Sequence, residues 1–197
     1  MSPEFESEAE GEELVSAEPS PIAVDTTAVE RAGYEETRDI VFEVTQTMAV
    51  GDESYVVRAA NHLIEYERSV DHPEVGKAPI ARFTAVATPK VEAFSQEINF
   101  TEQVTDEVIG NGLQIGYENV EIGDEVHETD SVTPFERETK VYQYPGTAEV
   151  DDYVVYVYLH VARTVRESDY ITLAGIYPQA FVANEQHRVL DLMEAVK

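Results

Sequence analysis

Tyr153-Val-Val-Tyr-Val-Tyr-Leu-His-Val-Ala-Arg-Thr-Val165, followed across the polar connection Arg166-Glu-Ser-Asp169 by Tyr170-Ile-Thr-Leu-Ala-Gly-Ile-Tyr177, is the stretch that decides the fold. Both runs are dense in β-branched and aromatic residues and the link between them is short and polar, so they read as a long β-hairpin. The first run is apolar on both faces, the pattern of a strand covered on two sides, which places this hairpin at the centre of a sheet.

Upstream, Ile40, Phe42 and Val44 alternate with Glu43, Thr45 and Thr47, and Gly51-Asp-Glu53 supplies a turn into a long partner strand from Tyr55 to Arg68. A third strand runs from Ile80 to Thr88 and stops at Pro89, and Val91 to Phe94 is a weaker strand signal. Thr101 to Ile109 has helical spacing at Val104 and Val108 before Gly110-Asn-Gly112. Residues 113–130 are glycine- and acid-rich with a modest strand signal at Tyr117 to Ile122, and Val132 to Tyr144 reads as a strand in which Pro134 forces an edge or a late start. Thr27-Ala-Val-Glu30 ahead of Gly33 has capping-box spacing for a short helix. Asn184 is placed to cap a last helix whose Val189, Leu192, Met193 and Val196 form one apolar stripe. The expected fold is α+β: a mostly antiparallel sheet of long hairpins flanked by two or three helices, including a C-terminal one.

Residues 1–20 are rich in Glu, Ser and Pro and read as an acidic disordered lead or tether, with Met1-Ser-Pro-Glu-Phe5 resembling a vector remnant; residues 21–197 read as one globular domain. Forty acidic against thirteen basic residues give a net charge of −27. The lead holds seven glutamates and no basic residue, so the folded body is acidic too. A body that repels itself in dilute solution and stays dispersed in molar salt suits a halophilic protein. There is no basic stripe to neutralise phosphates, which argues against nucleic acid as a partner. Cysteine is absent, excluding disulfides and thiolate zinc sites. No apolar run reaches the ~18 residues of a membrane span, and no cleavable signal heads the sequence.

Several spaced blocks, Gly33-Tyr-Glu-Glu36, Ala60-Asn-His-Leu-Ile-Glu-Tyr-Glu-Arg68, Phe83-Thr-Ala-Val-Ala-Thr-Pro-Lys-Val91, Val157-Tyr-Leu-His-Val161 and Gly175-Ile-Tyr-Pro178, together resemble an uncharacterised family of haloarchaeal lipoproteins over residues 22–197. The resemblance implies a secreted protein at the extracellular face of the cell membrane, held by a lipid-modified cysteine that this sequence lacks. It implies no chemistry. Asn99-Phe100-Thr101 is an N-x-Thr sequon, a candidate glycosylation site that fits such an address.

The five histidines show no metal-ligand spacing, and no G-x-S-x-G elbow or phosphate-cradling loop is present. His160, inside the central strand, and His62, in a strand beside Asn61, read as hydrogen-bonded structural histidines. His72, in a loop after Asp71, is the best placed to act as a base. The acidic pairs Glu35-Glu36, Asp124-Glu125 and Asp151-Asp152 offer oxygen ligands for a hard cation, but so acidic a chain produces such pairs as solvated surface. Tyr156 and Tyr158 share parity, so an uncovered face would make them an aromatic platform for a ligand or partner, and a covered one would make them core. The reading is a non-catalytic, membrane-tethered extracytoplasmic module that binds a protein or small ligand through one sheet face, with no catalytic residue, metal or cofactor assigned. Its alternatives are a hydrolase built on His72 and carboxylates, or a cation-binding structural component of the cell surface.

Overall fold

The computed structural model describes residues 12–72, 76–93, 95–107, 117–124, 126–150 and 153–197. In chain order its elements are β1 (Glu12–Ala17), α1 (Thr26–Ala32), β2 (Glu35–Val50), β3 (Glu53–His72), β4 (Gly76–Pro89), β5 (Val91–Ala93) and β6 (Gln96–Ile98). Then come α2 (Thr101–Glu107), β7 (Glu118–Ile122), β8 (His127–Val132), β9 (Thr139–Val150), β10 (Tyr153–Arg166), β11 (Asp169–Pro178) and α3 (Val182–Glu194).

Among the described residues nine strands form one sheet, in the order β2, β3, β4, β11, β10 and β9, with β1 also beside β3 and with β7 and β8 sharing the far edge of β9. Every pairing among these nine strands is antiparallel except β1 with β3. The β10–β11 hairpin lies in the middle, as its two-faced apolar pattern predicts. β1 falls inside the acidic lead, where Ala17 pairs with Ala59.

The expected α+β class is corrected. Among the described residues strand makes up 65% and helix 19%, in a large curled sheet, so the fold is mainly β. The helices are too few and too short to form a layer. They lid parts of a sheet that supplies most of its own core.

The register shows how that core is divided. Ile64, Ala85, Leu173, Ala162 and Val141 line up across five adjacent strands. All five belong to one buried cluster with Val29 and Ala32 of α1 and Val189, Leu192 and Met193 of α3. One step along, Glu65, Thr84, Ala174, Val161 and Tyr142 form the matching row on the opposite face, since successive residues of a strand alternate sides. There β5, β6 and α2 cover one region, with Phe100 and Val104 buried against Val57, Leu63 and Val86. Tyr117 covers another, packing with Val157, Leu159, Val161 and Ile176.

Val189 and Leu192 of α3 are fully buried, each contributing about 1.5–3 kcal/mol by removal from water. The helix comes this close because β11 carries Gly175 beneath it, where an added Cβ would lie 2.4 Å from a Val189 methyl. At the helix start the structure departs from the sequence reading. A 3-10 turn at Gln179–Phe181 leads directly into Val182, Phe181 is the N-cap without a side-chain bond, and Asn184 lies inside the helix. α1 does carry a side-chain cap, from Asp25, whose carboxylate accepts from Thr27 N and Ala28 N.

The expected strand from Val132 to Tyr144 is also redrawn. β8 ends at Val132, a turn at Pro134–Glu136 intervenes, and β9 starts at Thr139 and runs on through Pro145 and Gly146. Gly110-Asn-Gly112, the end of the expected 101–109 helix and Asp151-Asp152 lie outside the described residues, as do Glu125 and the side chain of His72.

Candidate functional site

β9 sends Lys140, Tyr142 and Tyr144 to one face by simple alternation. β10 lies beside it, with Val161 paired to Tyr142 and Leu159 to Tyr144, and in the same register Arg163 follows beside Lys140. These side chains floor a cleft of about 400 Å³, closed at one end by Arg137, Glu138 and Thr139 and bordered by Thr164 and Val165. The floor is the face opposite α1 and α3, next to α2, where Arg163 Nη2 donates to Thr105 Oγ1 at 3.4 Å.

Three of the chain's thirteen basic residues therefore meet in one cleft of a protein with forty acidic ones. Lys140 Nζ is 2.9 Å from Glu128, which holds its pKa above the ordinary lysine value, and Arg137 donates to the Val165 carbonyl. Arg163 has no carboxylate within ion-pair distance among the described residues, whereas Arg58, Arg68, Arg82, Arg166 and Arg188 each have one. Lys140 and Arg163 thus bring like charge to neighbouring strands, with Glu128 offsetting that of Lys140.

The turn that delivers Arg137 is strained. Phe135 and Glu136 have φ of 54° and 60°, the left-handed region that non-glycine residues rarely enter. Each such residue costs on the order of 1–3 kcal/mol, and strain of this kind gathers where function needs a fixed geometry. Arg166 lies over the Phe135 ring at 5.4 Å from its centroid and holds the turn against β10.

The tyrosines singled out in the sequence part company. Tyr158 packs into the main core, edge-on to Tyr177 with ring centroids 6.3 Å apart. Tyr156, two residues before it, is 68% exposed. There β10 has run past the end of β11, whose last residue, Pro178, pairs with Val157. Tyr156 instead borders a second hollow with Ile122, Pro145, Thr147 and Gln179, and Tyr153 and Val154 are exposed beside it. Asn99 is exposed and its Oδ1 accepts from Thr101 N at 2.8 Å, so the sequon asparagine sits at the start of α2.

Neither structural histidine reaches the cleft. His160 is wholly buried, its Nε2 2.7 Å from the Tyr177 hydroxyl and its ring stacked on that of Tyr177, and desolvation lowers its pKa to about 4. His62 Nδ1 accepts from Ile22 N at 2.9 Å, which leaves the proton on Nε2 to donate to Asp39 at 2.7 Å. Both ring nitrogens of His62 are thus engaged, Nδ1 holding Ile22 against β3 and Nε2 tying β3 to Asp39 of β2.

Glu185 and Glu65 are also buried in the core. Glu185 accepts from Arg68 at 2.8 Å and from the Tyr34 hydroxyl at 3.2 Å, beneath α3. On the other face Glu65 is fully buried 3.6 Å from Arg82, and desolvation raises its pKa. These are ion pairs of the interior. Among the described residues no group of three or more His, Asp or Glu is arranged to hold a metal ion, and no helix is long and apolar enough to cross a membrane.

The cleft was missed in the sequence because its cations lie about twenty residues apart on β9 and β10 and meet only through the register of that hairpin. One trace was there: Lys140, Tyr142 and Tyr144 alternate with Val141 and Gln143, placing charge and aromatic rings on a single face.

The chain belongs to the family of the domain of unknown function DUF6517, whose model matches residues 21–197. This is an uncharacterised domain family, as the spaced sequence blocks implied. No curated protein matches the sequence. Among solved structures it is similar to LpqN of Mycobacterium tuberculosis, described as involved in cell envelope biogenesis, with 8% identity, coverage of 90% of this chain and 98% of that one, and a TM-score of 0.38. It is also similar to PA94 of Pseudomonas aeruginosa, a protein of unknown function, with 7% identity, coverage of 76% and 94%, and a TM-score of 0.30. Both scores fall short of those that a shared fold gives.

Proposed function

We propose that this member of the DUF6517 family is a non-catalytic binding module that takes a small ligand in the cleft floored by β9 and β10. It works at the extracellular face of a haloarchaeal cell membrane, tethered there by a lipid anchor. The observation that carries the binding reading is the gathering of Arg137, Lys140 and Arg163 beside Tyr142 and Tyr144, in a cleft within the ~300–1,000 Å³ range of small-ligand sites. The net charge of −27 supports the high-salt setting. The exposed sequon at Asn99 and the lipoprotein resemblance support the address.

The test is a thermal-shift screen of charged and neutral small solutes in molar KCl, on the full chain and on Tyr142→Ala. A saturable rise in midpoint for some solute, lost in the variant, is the expected result. A solute that is chemically converted by the wild type and not by the variant would overturn the non-catalytic reading. A rise that survives Tyr142→Ala and disappears in Tyr156→Ala would move the site to the end of the β9–β10 hairpin.

A further inference from the structure

We infer that the ligand of the β9–β10 cleft is a monocarboxylate carried on a ring, its carboxylate held by Arg163 and Lys140 and its ring laid on Tyr142 and Tyr144. This rests on the reading of the cleft as the ligand site and specifies what enters it.

Charge comes first. Arg137, Lys140 and Arg163 line the cleft, Glu138 lines it too, and Glu128 pairs with Lys140, so three cations face two carboxylates and leave one positive charge over. A single negative charge fits that balance, while a phosphate dianion would overfill it. Arg163 is exposed and without a carboxylate partner among the described residues, so its guanidinium is open to an incoming acid.

The setting narrows the choice. In molar salt the screening length falls to about 3 Å, so attraction from a distance contributes little and selection depends on groups in direct contact. The planar fork of an arginine matches a carboxylate with two parallel hydrogen bonds, a contact that salt weakens far less than long-range steering. Lys140, next to it in the register, supplies a second donor from the neighbouring strand.

The rest of the floor calls for a ring. Tyr142 and Tyr144 lie on the same face two residues apart, with Val161 paired to Tyr142, so aromatic and aliphatic side chains line the cleft beside the cations. A tyrosine presents a large, rigid contact area with a polar tip, suited to the face of an aromatic ring or of a sugar. At about 400 Å³ the cleft has room for one ring with its acid group. Two sources share this chemistry, an aromatic acid and an acidic sugar.

Calorimetric titration of the full chain in molar KCl tests the assignment, with benzoate and glucuronate as the acids, benzyl alcohol and glucose as their neutral counterparts, and inorganic phosphate as the ring-free anion. At least one acid binds saturably. Its neutral counterpart and phosphate bind about tenfold or more weaker, a loss of about 1.4 kcal/mol or more. Arg163→Gln weakens the acid by a similar factor and leaves the neutral compound unchanged, and Tyr142→Ala weakens both. Which acid binds identifies the source. Arg163 and Tyr142 are both exposed, and an unchanged thermal midpoint confirms that the variants fold. Equal binding of acid and neutral counterpart, lost in Tyr142→Ala, overturns the carboxylate assignment and leaves the cleft as a ligand site. Phosphate binding as tightly as the acids overturns the ring. If no probe binds, the assignment falls, and the thermal-shift screen still decides whether the cleft takes something else.

Discussion

Gly175→Ala is the smallest change that challenges the seating of α3 on the sheet. The new methyl carbon would stand 2.4 Å and 2.9 Å from the two Val189 methyls and 3.2 Å from its Cβ. Carbon atoms in contact sit about 3.5–4.0 Å apart, so the overlap is about 1 Å. Val189 cannot turn aside cheaply, because a valine in a helix keeps essentially one side-chain rotamer. α3 must therefore lift, loosening Val189, Leu192 and Met193, all fully buried. Overpacking of this kind costs about 1–3 kcal/mol. For a chain of this size each kcal/mol lowers the midpoint by about 2–4 °C, so the variant should melt roughly 2–12 °C lower. Circular dichroism melts in molar KCl measure it. Val189→Ala, destabilising alone through the cavity it leaves, should lose much of its cost in the Gly175→Ala background, with a coupling of about 1 kcal/mol or more. A Gly175→Ala midpoint within about 1 °C of wild type, or strictly additive effects, would refute the close approach of α3 to β11.

Other expectations follow from the buried polar groups and the separated tyrosines. His160 is held neutral in the fold, its pKa lowered from 6.5 to about 4, so the unfolded chain takes up a proton first. Its contribution is full above pH 6.5 and is lost as pH falls towards 4, amounting to about 3 kcal/mol by linkage. The buried Glu65, with a raised pKa, acts in the opposite direction, so the His160 part is read from the difference between wild-type and His160→Gln urea stabilities across that window. A difference independent of pH would contradict it. Glu185→Ala strands Arg68 under α3 and should cost about 3–5 kcal/mol, against about 1 kcal/mol for Tyr34→Phe, both by urea unfolding. Tyr158→Ala should cost at least about 2 kcal/mol and Tyr156→Ala within about 0.5 kcal/mol of nothing, since only the former is packed into the core.

Where local pattern and tertiary environment agree, the elements could be read from the residues. The β10–β11 and β2–β3 hairpins carry β-branched and aromatic runs across short polar turns, and Val189, Leu192 and Met193 mark α3, whereas Val196, expected on the same helical stripe, lies past the helix end and pairs with Val24. β8 could not be found this way, because His127-Glu-Thr-Asp-Ser-Val132 has no apolar alternation and is held as a strand by pairing with β9. β9 runs on through Pro145 and Gly146, two residues that usually end a strand. Pro145 has a carbonyl that accepts from Gly123 N at 2.8 Å, and Gly146 lets Glu121 O approach to 2.6 Å of where a Cβ would stand. The fold class was misread for a related reason: the helical stripes are strong local signals, but strands whose order comes from their neighbours outweigh them. The tyrosine platform could not be settled from parity alone, since alternation fixes the face of Tyr156 and Tyr158 and not where the covering element stops. The cleft depends on the β9–β10 register, which joins residues about twenty positions apart.

Ligand binding on the β9–β10 floor is tested most directly by an amide shift map of the full chain against the solute that raises its midpoint. Saturable shifts are expected at residues 139–144 and 161–165, extending to Thr105 beside Arg163, with residues 153–156 unmoved. Shifts centred on residues 153–156 and their neighbours around Pro145 and Gln179, with Arg163 and Lys140 silent, would contradict it.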